Sequence, residues 1–158
     1  MLRGLLDILA GLLPMVASAD CTADASRMKP TFSAQALALR NALFQQACES
    51  ANGAFVDSTD PTLGARLEQP RALAIHNSSE YYPPLARRQL LQGTVRLAFV
   101  IDTDGSVIQV TVLESSGYDL LDAAAMKMWS EARFAVPAKL DGRPTRALGY
   151  SAVPFTLR

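Results

Sequence analysis

Between Gly93 and Glu114 two alternating apolar runs are joined by Asp104-Gly105. Val95, Leu97, Phe99 and Ile101 recur at period two, the mark of a strand with one buried face, and Ile108, Val110 and Val112 recur the same way after the turn. Asp-Gly suits a two-residue type I′ turn, in which both central residues need positive φ. With Asp104 and Gly105 as that turn, Thr103 faces Ser106, and Ile101, Phe99 and Leu97 stand opposite Ile108, Val110 and Val112. Both apolar sets then share one face, and a slip of one residue would turn one of them into water. The hairpin therefore commits the chain to an antiparallel sheet with a packed face. A calcium loop from Asp102 is the rival reading, and it fails, because Val107 stands where that loop needs glycine and Leu113 where it needs glutamate.

The 158 residues leave room for one ordinary domain and an extension, and 49% apolar content is ample for a core. A formal net charge of +0 without a basic stripe excludes a nucleic-acid binder that works by neutralising phosphates. Two cysteines and one histidine supply no metal cluster, so neither metal nor cofactor is expected.

Met1 to Ala19 reads as a secretory signal: Arg3 is the positive end, Leu5 to Val16 the apolar run, and Ala17-Ser18-Ala19 the cleavage site before Asp20. The alternative is a short uncleaved membrane anchor. Past this segment no apolar run approaches the roughly 20 residues that span a bilayer. Export places Cys21 and Cys48 in an oxidising compartment, where a structural bridge between them is expected to contribute roughly 3 kcal/mol. A redox-active pair would want CxxC spacing or a charged neighbour, and neither is present.

Further along, Ser33 to Ala51 is expected to be a helix, capped by Ser33 and stopped by Asn52-Gly53. Ala36, Leu39, Leu43 and Ala47 line one side of it, with Phe44, Cys48 and Ala51 beside them. Asp57 to Gln69 reads as loop and Arg71 to His76 as a short strand, with His76 an ordinary polar residue. A short helix begins at Pro84, which suits a first helical turn. Asp119 is expected to cap a second one, whose stripe is Leu121, Ala124, Ala125, Met128, Trp129 and Ala132, with Trp129, Met126 and Met128 as core. Phe134 and Pro137 close it, Asp141-Gly142 turns, and Thr145 to Arg158 is a last strand.

In that strand Val153, Phe155 and Leu157 alternate toward the core while Pro154 interrupts the donors. Proline cannot donate to a ladder, so the strand belongs at a sheet edge with Pro154 on its open side. The expected architecture is α+β, a three-stranded antiparallel sheet of order 2-1-3 with two helices and an N-terminal helical extension. An open edge of this kind is a template for an extended peptide or for a second copy of the chain.

From Tyr82 to Leu157 the sequence resembles the C-terminal domain of TonB-type energy transducers. The resemblance rests on Tyr82-Pro83 with Ala86, Gly93 with Val95, Gly105 with Val107 and Val110, and Ser115-Ser116-Gly117 with Leu121-Asp122 and Ala124-Ala125. Arg133-Phe134, Pro137-Ala138, Asp141-Gly142 and Val153-Pro154-Phe155 with Leu157 complete it, in the family's order and spacing. The resemblance implies a three-stranded α+β domain over 78–158; the residues ahead of it read as a signal peptide or short anchor over 1–19 and a helix-and-loop extension over 20–77. It also implies a periplasmic protein whose last strand receives the TonB box of an outer-membrane receptor. Carried over, the partner-binding residues are Arg146, Leu148, Tyr150, Ser151, Ala152, Val153 and Phe155, with Ser79 and Tyr82 beside them.

Residues 20–80 lack a proline-rich spacer and Met1–Ala19 lacks histidine, so the leading expectation is an exported peptide-binding module. The alternatives are an inner-membrane-anchored energy transducer, for which membrane contact would come through Met1–Ala19, and a homo-oligomeric envelope protein. No nucleophile, base and orienting group can be assembled around the single histidine, so an enzyme is not expected.

Overall fold

The computed structural model describes residues 32–51, 55–73 and 76–157. Met1–Ala19, Cys21 and the Asn52-Gly53 stop lie outside the described residues, and with Cys21 so does the Cys21–Cys48 bridge.

Helix α1 (Ala34–Glu49) opens as its sequence directs, with the Ser33 hydroxyl accepting the Ala36 N–H at 3.2 Å. Strand β1 (Phe55–Asp57) follows, then a 3-10 turn at Gly64–Arg66 and two short strands, β2 (Leu67–Glu68) and β3 (Arg71–Ala72). The expected loop at Asp57–Gln69 thus begins on the last residue of β1 and contains β2 near its end. Of the strand expected over Arg71–His76, Arg71 and Ala72 are strand and Leu73 and His76 are not, while residues 74–75 lie outside the described residues. Helices α2 (Ser78–Tyr81) and α3 (Pro84–Arg88) precede the long strand β4 (Gly93–Ile101) and its partner β5 (Val107–Glu114). Helix α4 (Asp119–Ser130) is followed by β6 (Phe134–Val136), β7 (Lys139–Leu140), β8 (Arg143–Pro144) and β9 (Arg146–Phe155).

Asp119 is not a cap: Tyr118 holds the N-cap position without a side-chain bond. Asp122 instead ties the preceding loop down, accepting from the Ser115 hydroxyl (2.5 Å), the Ser116 N–H (2.9 Å) and the Ser116 hydroxyl (2.8 Å). Phe134 does not close α4 either, because it starts β6, which pairs with β3.

The main sheet has the order β1-β9-β4-β5. Its β5-β4-β9 part is the antiparallel 2-1-3 arrangement read from the sequence. The correction is the fourth strand, since β1 joins the outer side of β9 in parallel, Phe55 opposite Arg146 and Asp57 opposite Leu148.

Being central, β4 is buried on both faces, not one. Val95, Leu97, Phe99 and Ile101 pack with Leu121, Ala125 and Met128 of α4 and with Val153 and Phe155. Ala98 and Val100 face the other way, onto Leu43, Phe44 and Ala47 of α1. Each fully buried Leu or Phe in these layers contributes roughly 1.5–3 kcal/mol. Met128 lies in the core as expected, whereas Met126 is exposed. On α1 the inward position falls to Arg40, 2% exposed, and Leu39 faces water.

The hairpin turn differs from the two-residue form. Gly105 N–H donates to Asp102 O at 2.9 Å, and Asp102 N–H to Ser106 O at 2.8 Å. Thr103 and Asp104 keep negative φ, and only Gly105, at φ 83, is left-handed. This is a type I turn closed by a glycine bulge. Leu97 faces Val112 and Phe99 faces Val110 as expected, but Ile101 pairs with Val107. Ile108 bulges outward, 49% exposed. The left-handed pair that Asp-Gly favours occurs instead at Asp141 (φ 51) and Gly142 (φ 77), between β7 and β8.

Candidate partner-binding edge

In an antiparallel ladder, the N–H and C=O of one residue point to the same side, and alternate residues point to opposite sides. Two contacts fix which residues of β9 point away from β4. Leu148 O accepts the Ser58 N–H at 3.0 Å, and Pro154 O accepts the Ser78 hydroxyl at 2.8 Å. The outward positions are therefore Leu148, Tyr150, Ala152 and Pro154. Among the described residues, β1 covers the first of these and α2 the last. Tyr150 and Ala152 lie between, with no strand alongside. The edge expected to be open from Arg146 to Phe155 is thus closed over Arg146–Leu148 by the protein's own β1. The open part is a gap that runs about 20 Å from Leu148 to Pro154.

The nine expected binding residues separate accordingly. Ser151 is half-buried and Ala152 exposed at the gap. Leu148, Val153 and Phe155 point their side chains into the cores; the backbone of Val153 and Phe155 faces β4 and that of Leu148 is covered by β1, so none of the three is open to a partner. Arg146 is engaged, donating from Nε to Asp102 Oδ1 at 3.0 Å and from Nη1 to Ser50 O at 3.0 Å. Its hydrogen bond holds the Asp102 carboxyl below the usual carboxylate range. Tyr82 is a core residue, its ring edge-on to Phe155 at 5.4 Å and its hydroxyl on Leu91 O. Ser79 is exposed, and its carbonyl accepts Arg87 Nη2 at 2.5 Å. Beyond the gap, Asn77, Ser78, Ser79, Tyr82, Arg87, Thr156 and Leu157 line a cavity of about 280 Å³. His76 stands edge-on to Tyr81 at 5.6 Å.

Tyr150 anchors the gap to the N-terminal elements. Its hydroxyl donates to Asp57 Oδ2 at 2.5 Å and accepts Arg40 Nε at 2.9 Å, while Arg40 Nη2 pairs with the same Asp57 oxygen. Arg40 and Asp57 are 2% and 1% exposed. Burial alone would lower the Arg40 pKa, and its bonds to Asp57 and Tyr150 reverse that, leaving it raised. Burial, then the Asp57 charge, raises the Tyr150 hydroxyl well above the ordinary tyrosine range. Arg40, Asp57, Ser58 and Ser78 were not read as site residues from the sequence. One signal for Arg40 was there: Ala36, Arg40, Leu43, Phe44 and Ala47 keep helical spacing, which puts Arg40 on the apolar stripe.

The Tyr150 shift has a pH consequence. Its folded pKa lies above its unfolded value of about 10, so its stability contribution is complete below pH 10. That contribution is lost as pH rises, because the unfolded chain ionises where the folded one does not. Urea unfolding at pH 9 and pH 11 is expected to show this loss in the wild type and a smaller one in Tyr150→Phe.

The model of the Gram-negative bacterial TonB protein C-terminal family matches residues 78–157. The chain is 42% identical over 84 residues to the tonB2 protein of Pseudomonas aeruginosa, covering 53% of this chain and 30% of that protein. It is 36% identical over 97 residues to the TonB protein of Vibrio cholerae, covering 61% and 35%. Thus it spans about a third of the length of these relatives. Among solved structures, the Helicobacter pylori TonB C-terminal domain aligns at 28% identity with a TM-score of 0.42, covering 51% of this chain and 73% of that one. The half of the chain that supplies β4, β5, α4 and β9 is the half the family model matches, and the chain belongs to the Gram-negative bacterial TonB protein C-terminal family.

Proposed function

We propose that this protein is an exported, periplasmic binding module that takes up an extended peptide at the outer edge of β9, in the service of TonB-dependent outer-membrane transport. The family is one of energy transducers and protein-interaction modules, not enzymes. The observation that carries the reading is the gap at Tyr150 and Ala152, where outward N–H and C=O groups have no strand beside them among the described residues. A peptide laid there gains a backbone ladder, and the side chains at alternate positions set its selectivity. The partner is the TonB-box segment of an outer-membrane receptor. The exported state places Met1–Ala19 as a cleaved signal and makes Cys21–Cys48 a stabilising bridge of the mature chain. Among the described residues no helix is long and apolar enough to cross a membrane.

The test uses the alternation of the ladder. Synthetic receptor-box peptides, each N-methylated at one amide, are titrated by calorimetry against the full chain. Methylation at amides that face β9 is expected to weaken binding at least tenfold, and methylation at the intervening amides to change it less than threefold. Uniform effects along the peptide would overturn the reading, since a side-chain groove has no two-residue backbone period.

A further inference from the structure

The family model begins at residue 78, whereas the strand that shortens the binding edge is Phe55–Asp57. Why β1 stops where it does is visible in its last residue. Asp57 Oδ1 accepts the Thr59 N–H at 2.8 Å and the Thr59 hydroxyl at 2.6 Å, a local turn that bends the chain away after Ser58. Continuation of the parallel ladder would bring the Ser58 carbonyl to the Tyr150 N–H. That carbonyl instead accepts Gln69 Nε2 at 2.9 Å. Asp57 Oδ2, meanwhile, is held by Arg40 and Tyr150 in the buried cluster. One carboxylate thus ends the strand, fixes its position and anchors the first open residue of the edge. Phe55 and Val56 are at most 1% exposed, so β1 is a core element and not a flap.

We propose that β1 is a length gauge for the incoming peptide: it blocks the head of β9, so that the site accepts an extended segment of about five residues, paired through Tyr150 and Ala152 alone. Ser58 is the stop at one end and Ser78 at the other. A longer peptide adds residues that run past the sheet without joining its ladder. The inference rests on the edge reading above and adds to it the size of the ligand and the element that sets it.

Receptor-box peptides of five, seven, nine and eleven residues, nested on a common centre, serve as probes against the full chain. Affinity is expected to be nearly complete at five residues and to change by less than twofold from five to eleven. In parallel, amide exchange on the wild-type protein with the eleven-residue peptide is expected to slow at Tyr150 and Ala152, leaving Arg146 and Leu148 unchanged. A tenfold gain between five and eleven residues, or altered exchange at Arg146 and Leu148, would overturn the gauge while leaving edge binding intact. Exchange unchanged at Tyr150 and Ala152, or no binding of any peptide, would overturn both.

Discussion

Asp57→Ala is expected to destabilise the protein by about 3–5 kcal/mol, measured as the shift in urea unfolding free energy at pH 7. The cost is not the net worth of an ion pair. It arises because Arg40, 2% exposed, keeps its charge and loses its counter-ion, and the Tyr150 hydroxyl loses its acceptor. Against a typical total of about 5–15 kcal/mol, a loss of that size removes a large part of the native stability. Arg40→Met alone is expected to cost a comparable amount, for it strands the carboxylate instead. The double variant Arg40→Met/Asp57→Leu is expected to recover most of the loss, because two apolar side chains need no partner in that position. Such non-additivity distinguishes a coupled buried pair from two independent contacts. Simple addition of the two single losses would contradict the coupling.

How much of this was legible in the residues depended on range. The period-two runs around Asp104-Gly105 identified β4 and β5, and Pro154 identified β9 as an edge strand. Both signals are local; the hairpin survives in the fold, whereas the edge survives only past Leu148, where β1 ends. The turn type did not, because Asp-Gly is compatible with a left-handed pair and with a glycine bulge. The tertiary contact decides: the backbone beside Gly105 is occupied by Phe134, whose N–H donates to Gly105 O at 2.8 Å. A Cβ on Gly105 would lie 2.2 Å from the Phe134 carbonyl oxygen. The same Asp-Gly preference is realised at Asp141-Gly142, where β7 and β8 are free to take it.

The fourth strand was the larger omission. Phe55-Val56-Asp57 is too short to show a period, and its partner is about 90 residues away, so no window could reveal the pairing. Its effect on the site is direct, since it converts a long open edge into a gap. Of the expected binding residues, the seven from Arg146 to Phe155 lie on β9, and Arg146 and Leu148 belong to the part of it that the chain itself has closed.

The second large effect concerns binding alone. The Ala152 N–H points away from β4, so a proline there removes a donor that no strand among the described residues uses. Two residues on, Pro154 already occupies the same kind of position in the same strand. Ala152→Pro is accordingly expected to fold, with a melting temperature within a few degrees of the wild type. Ser151→Pro, whose N–H faces β4 opposite Leu97, is expected to lose much of its stability, because it breaks an internal ladder bond.

The most direct measurement is the affinity of the full-length Ala152→Pro protein for a receptor-box peptide, taken beside its melting curve. An intact fold with binding weakened tenfold or more is the result predicted for a partner that hydrogen-bonds to the outer backbone of β9. An intact fold with wild-type affinity would contradict it, since the foreign chain would then be held somewhere other than this edge.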